Sequence, residues 1–163
     1  MVSREHGDRD HRRERGASAI EFAIVFPLFF GLIYIMVSYG LLFSLQHSIT
    51  EAAKESARSA VACDPTLATT EHETCVTDRA RATAAAALDW LPADLRSRIL
   101  GASNANVEVK FETGAVGKTV EVLVQLPDYA ANPILPTVSL PWPFGGQIPP
   151  LPARLAGRAV VLL

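Results

Sequence analysis

Few side chains in this sequence have the type and spacing to do chemistry. Cys63 and Cys75 bracket the stretch CDPTLATTEHETC. Two thiols so placed can oxidise to a disulfide. The alternative, Cys63, His72 and Cys75 around a metal ion with a glutamate, lacks a paired-ligand spacing such as CxxC. Two cysteines and four histidines in all cannot build a four-cysteine zinc module. Glu71-His72-Glu73 reads as a solvated loop, and Asp89 and Asp94 beside Trp90 read as solvated helix acids rather than as a catalytic carboxylate pair. There is no GxSxG, no HExxH and no glycine-rich phosphate loop, so neither catalysis nor a cofactor is expected. Glu21 is the anomaly. It opens an apolar run, and an unpaired charge costs about 2.5 to 3.5 kcal/mol at mid-membrane and less near the interface. It needs a partner or a job.

The elements that must position these residues follow from the charge map. The chain has 163 residues, 49% of them in the hydrophobic set and 20% charged, which suits one modest domain and excludes disorder. A net charge of -2 gives no basic footprint, so nucleic acid is not an expected partner. Residues 1–16 hold five arginines and four acids and read as a tail. From Phe22 to Thr50 there is no Asp, Glu, Lys or Arg. About 20 such residues cross a bilayer, so a single transmembrane helix is expected, its membrane part at about 22–45. The run exceeds the apolar region of a signal peptide, and no small-x-small cleavage site follows it, so the anchor should be retained. Arg12, Arg13 and Arg15 precede the run, while Glu51, Lys54, Glu55 and Arg58 behind it nearly cancel, which keeps the N-terminus in the cytoplasm and exports the rest. In that compartment a Cys63–Cys75 disulfide forms and persists. Pro27 should bend the helix. Gly31 and Gly40 read either as ordinary transmembrane usage or as places where a neighbouring helix comes close.

Beyond the membrane, Ser48 to Ala62 has no Gly or Pro, which predicts one helix over 17–62, about 70 Å long at 1.5 Å per residue. Ile49, Ala52, Ala53, Ser56, Ala60 and Val61 share a narrow face suited to packing. In the region 63–163, Thr77 is a candidate N-cap, and Ala80, Ala84, Ala87, Leu88 and Leu91 line one face of the helix that follows. Pro92 opens a short second helix, ADLRSRIL, stopped by Gly101. Val107, Val109 and Phe111 alternate with Glu108, Lys110 and Glu112, and Val120, Val122, Val124 and Leu126 continue the period beyond TGAVGK, which predicts a hairpin. Eight of the eleven prolines lie between Pro127 and Pro152. That stretch is expected to be a long ordered loop over the sheet, its VSLPWPF either packed or open to a partner, with LAGRAVVLL returning as a last strand. The expected class is α+β, with two short helices and an antiparallel sheet of about three strands.

Arg15-Gly16-Ala17-Ser18-Ala19-Ile20-Glu21-Phe22 resembles the type IV prepilin signature. The resemblance implies a leader peptide, 1–16, removed by prepilin peptidase between Gly16 and Ala17, with Glu21 becoming the fifth residue of the mature chain. The wider pattern, RGASAIEFAIVFPLFFGLIYIMVSYGLLFSLQHSITEAAKESARSAV, is similar to the TadE-like minor pilins, or pseudopilins, of tight adherence (Flp-type) pilus systems. Pro27 and the set Ala52, Ala53, Glu55, Ala57 and Arg58 stand at the characteristic places. The likeness covers roughly residues 15–62, and from Cys63 onward it holds only in outline. It implies a pilin-like fold and a single-pass subunit of the inner membrane or of the pilus at the cell surface. Other pilins and assembly-platform proteins would be its partners and surface adhesion its purpose. Minor subunit is preferred to major, because major subunits of this pilus class are usually much shorter. After cleavage the new α-amino group of Ala17 would lie four residues before Glu21, about 6 Å along a helix, and would offer the carboxylate a partner in its own chain or a neighbour. The plainer alternative places Glu21 at the headgroup boundary, where an acid near a helix N-terminus is mildly favourable. A permanently anchored ligand-binding or sensory domain is the other reading of function, and it has no need of a leader removed at glycine.

Overall fold

The computed structural model describes residues 6–114, 117–140, 146–148 and 150–163, with side chains for 18–114, 117–137 and 150–163. The chain forms two compact units, one up to Gly40 and one from Leu41 to Leu163. Helix α1 runs through His6–Ala60. It starts well before the expected Ala17, because residues 6–16 hold four arginines and no proline and extend a helix already nucleated by the apolar run. It ends at Ala60, short of the expected Ala62, in tight turns where Val61, Ala62 and Cys63 donate to the carbonyls of Arg58, Ser59 and Ala60.

Within the first unit the apolar part of α1, from Phe22 on, is mostly exposed among the described residues. Ser18–Ala60 contains a window apolar and long enough to cross a membrane, and none of that window is buried. Pro27 lies inside the helix. Within the second unit the same helix changes character. Leu45, Ile49, Ala52, Ala53, Ser56, Ala57 and Ala60 are buried, and the alanines let other backbone come close. The buried Ser56 hydroxyl donates to the Ala52 carbonyl at 2.6 Å, so its burial leaves no orphan. Val61, expected on this face, is 55% exposed, because the helix has already ended.

Helix α2, Thr69–Ala87, corrects the expected cap at Thr77. Thr77 lies mid-helix, its hydroxyl donating to the Glu73 carbonyl at 2.7 Å. Glu71 and His72 therefore sit in the first turn rather than in a loop. The early start has a tertiary reason: Val76, Ala80 and Ala84 are wholly buried, and packing of that stripe outweighs weak local propensity. Leu88 and Leu91 continue the stripe as expected, while Ala87 is half-buried. Helix α3, Ala93–Leu100, follows Pro92 and ends at Gly101, whose φ of 71° is one that L side chains rarely adopt.

A short 3-10 turn leads to strand β1, Val107–Gly114, which pairs antiparallel with β2, Gly117–Leu126. Strands β3, Val138–Leu140, and β4, Gly146–Ile148, form a two-stranded sheet of their own within the proline-rich stretch expected to be only loop. Such short strands outside the main sheet tolerate neighbouring prolines. Trp142 and Phe144 lie outside the described residues. Strand β5, Leu155–Leu162, pairs with β2, so the main sheet has the order β1-β2-β5, antiparallel throughout. Val107, Val120, Val122, Val124 and Leu126 are fully buried on one face together with Val76, Leu88 and Ile99. Burial of each such side chain is worth about 1.5 to 3 kcal/mol relative to exposure.

Candidate functional site

No group of three or more His, Cys, Asp or Glu side chains able to hold a metal occurs among the described residues. Cys63 and Cys75 are joined as a disulfide instead. One sulfur belongs to the turn just after α1 and the other to the second turn of α2, so the bond ties the end of the long helix to the helical layer. His72 lies outside that link.

The other residues singled out by sequence are on the first unit of α1. Gly16 and Ala17 fall within the bounds of the helix. Glu21 is exposed, flanked by exposed Ile20 and Phe22, and has no ion-pair partner among the described residues. Phe22, Phe26 and Phe30 stack along one side with centroids 5.2 and 6.0 Å apart, as the i, i+4 spacing dictates. A Cβ added at Gly31 or at Gly40 would meet nothing within 4 Å. Among its described residues the first unit therefore presents an exposed carboxylate, an aromatic ridge and open glycine positions.

Sequence reasoning missed the residues that lock α1 into the second unit. The Gln46 amide donates to the Ala156 carbonyl of β5 at 2.9 Å. One residue on, Gly157 lies so close to α1 that an added Cβ would be 2.6 Å from the Ile49 carbonyl oxygen and 2.7 Å from the Thr50 Cα. The signal was present: an isolated glycine within a strand pattern marks close backbone approach.

Two surface carboxylates of the second unit are held below their usual range. Glu51 is lowered chiefly by the hydrogen bond from Lys54, at 2.7 Å. Asp64 is lowered by the backbone N–H of Thr66 and then by its hydroxyl, an Asx-type turn that closes the end of the helix. The Tyr129 hydroxyl is shifted the other way, upward, because burial disfavours the phenolate.

Residues 16–58 match the family model described as TadE-like protein. This segment is TadE-like. It begins at Gly16 and takes in Glu21, Pro27, Gln46 and the buried Ala52, Ala53 and Ala57 of α1, and it stops before Cys63 and the sheet. The TadE-like segment thus coincides with most of one helix, the only helix among the described residues that is long and apolar enough to cross a membrane. Searches of curated proteins and of solved structures found no match.

Proposed function

We propose that this chain is a minor pilin or pseudopilin, a membrane subunit that supports assembly of a tight adherence pilus and through it surface adhesion. Prepilin peptidase cuts it between Gly16 and Ala17. The helix holds it in the cytoplasmic membrane with its N-terminus inside and the β1-β2-β5 domain outside. Its partners are other pilins and the assembly platform, and its role is structural rather than catalytic.

The observation that carries the reading is the position of the TadE-like match, which starts at the glycine of the leader and covers the apolar helix. An uncovered Glu21 at the start of that helix adds to it, since a carboxylate entering an apolar environment is tolerated where a neighbour neutralises it. The testing experiment is N-terminal sequencing of the chain recovered from sheared pili and from membranes. A chain beginning at Ala17 and enriched with the pili is expected. A chain that keeps residues 1–16 and stays wholly in the membrane would leave the permanently anchored domain in its place.

A further inference from the structure

Among the described residues, strand β5 pairs on one side only, with β2. The Leu163 N–H donates to the Lys118 carbonyl at 2.9 Å, which sets the phase of the ladder. Ala156, Arg158, Val160 and Leu162 therefore turn their backbone groups away from β2. The Ala156 carbonyl is taken by Gln46, while those of Arg158, Val160 and Leu162 find no partner among the described residues. Apart from Arg158 the edge carries neither charge nor Pro, the usual protection of an exposed strand, and Val160 and Leu162 are 57% and 51% exposed.

The opposite edge of the same sheet fits it. On β1 the Val107 carbonyl accepts from Arg81 at 3.5 Å, so the backbone groups of Val107, Val109, Phe111 and Thr113 face outward, and from Val109 onward they find no partner among the described residues. Strands β1 and β5 are both antiparallel to β2 and hence parallel to each other. Through β2, Val109 lies level with Ala159 and Phe111 level with Val161. A second copy displaced sideways by three strands, about 14 Å at about 4.8 Å per strand, sets Phe111 beside the copy's Val161. Parallel pairing then requires Phe111 to bond the residues on either side of that one, Val160 and Leu162, and these are the ones whose groups point outward. The same displacement sets Glu108 level with the copy's Arg158. Glu108 already accepts from Gln125 and Lys110, and Arg158 already reaches Glu121 at 2.6 Å, so the contact would extend a charged row across the junction.

From this match of phase, level and charge we infer that the β5 edge of one chain pairs in parallel with the β1 edge of a second copy, making a continuous intermolecular sheet. Parallel pairing relates the two chains by a sideways displacement and brings unlike edges together, whereas β5 against β5 would set Arg158 of each chain on the same junction. Twist of about 20 to 25° per strand turns the added copy by about 60 to 75°, so a dimer is the product expected in a flat bilayer. The inference rests on the sheet and does not depend on cleavage at Gly16.

The test uses two differently tagged full-length chains made together, one carrying Lys110→Cys and the other Val160→Cys, oxidised in isolated membranes with copper phenanthroline. These two side chains share the outer face at one level. A mixed-tag disulfide dimer is expected, about tenfold above the dimer that either chain gives alone. Adding Leu162→Pro to the Val160→Cys chain removes an outward N–H without touching the bonds to β2, and should reduce the mixed dimer about tenfold while the Cys63–Cys75 bond still forms. Absence of the mixed dimer, its indifference to Leu162→Pro, or preferential Val160→Cys self-dimers would overturn the inference.

Discussion

Gly157 and Ile49 meet backbone to backbone: a Cβ on the strand residue would come within 2.6 Å of the helix residue's carbonyl oxygen. The obstructing atoms belong to a helix that cannot swing aside as a flexible side chain would. Gly157→Ala should therefore destabilise the second unit by about 1 to 3 kcal/mol, in the range of overpacked cores. Urea unfolding of the full-length protein in detergent checks this, and an unchanged midpoint would show that α1 and β5 separate freely.

The Cys63–Cys75 bond closes a short loop, so its loss should cost about 3 kcal/mol. Cys63→Ser with Cys75→Ser is expected to lower the thermal midpoint and to expose the stretch before α2 to protease. Equal protease resistance of the oxidised and mutant proteins would contradict it.

Gly16→Trp should block removal of the leader while leaving membrane insertion intact, because the apolar run begins beyond it. Mass spectrometry of the membrane-extracted chain would show residues 1–16 retained. Normal processing of this variant would remove the peptidase from the account.

Glu21→Ala should leave insertion intact and impair co-assembly. The uncovered carboxylate has no partner among the described residues of its own chain, and a neighbouring α-amino group in an apolar core would attract it more strongly than at a wet surface, where ion pairs are worth about 0 to 1 kcal/mol. Counting pili and the subunit within them, at equal protein levels, checks this. Wild-type piliation would favour the plain headgroup-boundary role.

Tyr129 links the fold to alkaline pH. Its folded pKa is raised above the ordinary value of 10.0 by burial. The neutral phenol is therefore the form the fold favours, and the stability it contributes is complete below the unfolded pKa and lost as pH rises through the folded one. Tyr129→Phe should flatten the decline of the unfolding midpoint above about pH 10. A decline as steep as in the wild type would assign it to other groups.

The sequence speaks most clearly where one physical term dominates. Twenty-nine residues from Phe22 to Thr50 without Asp, Glu, Lys or Arg leave little but an apolar helix, and the strict alternation at Val107, Val109 and Phe111 leaves little but a half-buried strand. Both are found. The start of α2 was hidden because Thr69 to Thr74 has no strong helix former apart from two glutamates, and the helix is held by Val76, Ala80 and Ala84 packing on elements far along the chain. Strands β3 and β4 were hidden behind the prolines that flank them. Gln46 is unremarkable in the sequence; it matters because β5, 110 positions later, brings the Ala156 carbonyl to it. The cysteine pair was legible from compartment and loop length together, but the placing of Cys75 in a helix was not.

The disulfide also determines how this protein would answer a mechanical pull. Tension drawn between α1 and the last strand passes along α1 to Cys63, and from there crosses the sulfur bridge to Cys75 instead of following the backbone through residues 64–74. Those residues could otherwise lengthen the chain by about 40 Å when extended, at about 3.5 Å each. With the bridge closed that slack is unavailable. A tug is then borne by the packing of α1 on β5 and by a covalent crosslink, and the domain yields by shearing its helix from the sheet rather than by paying out loop.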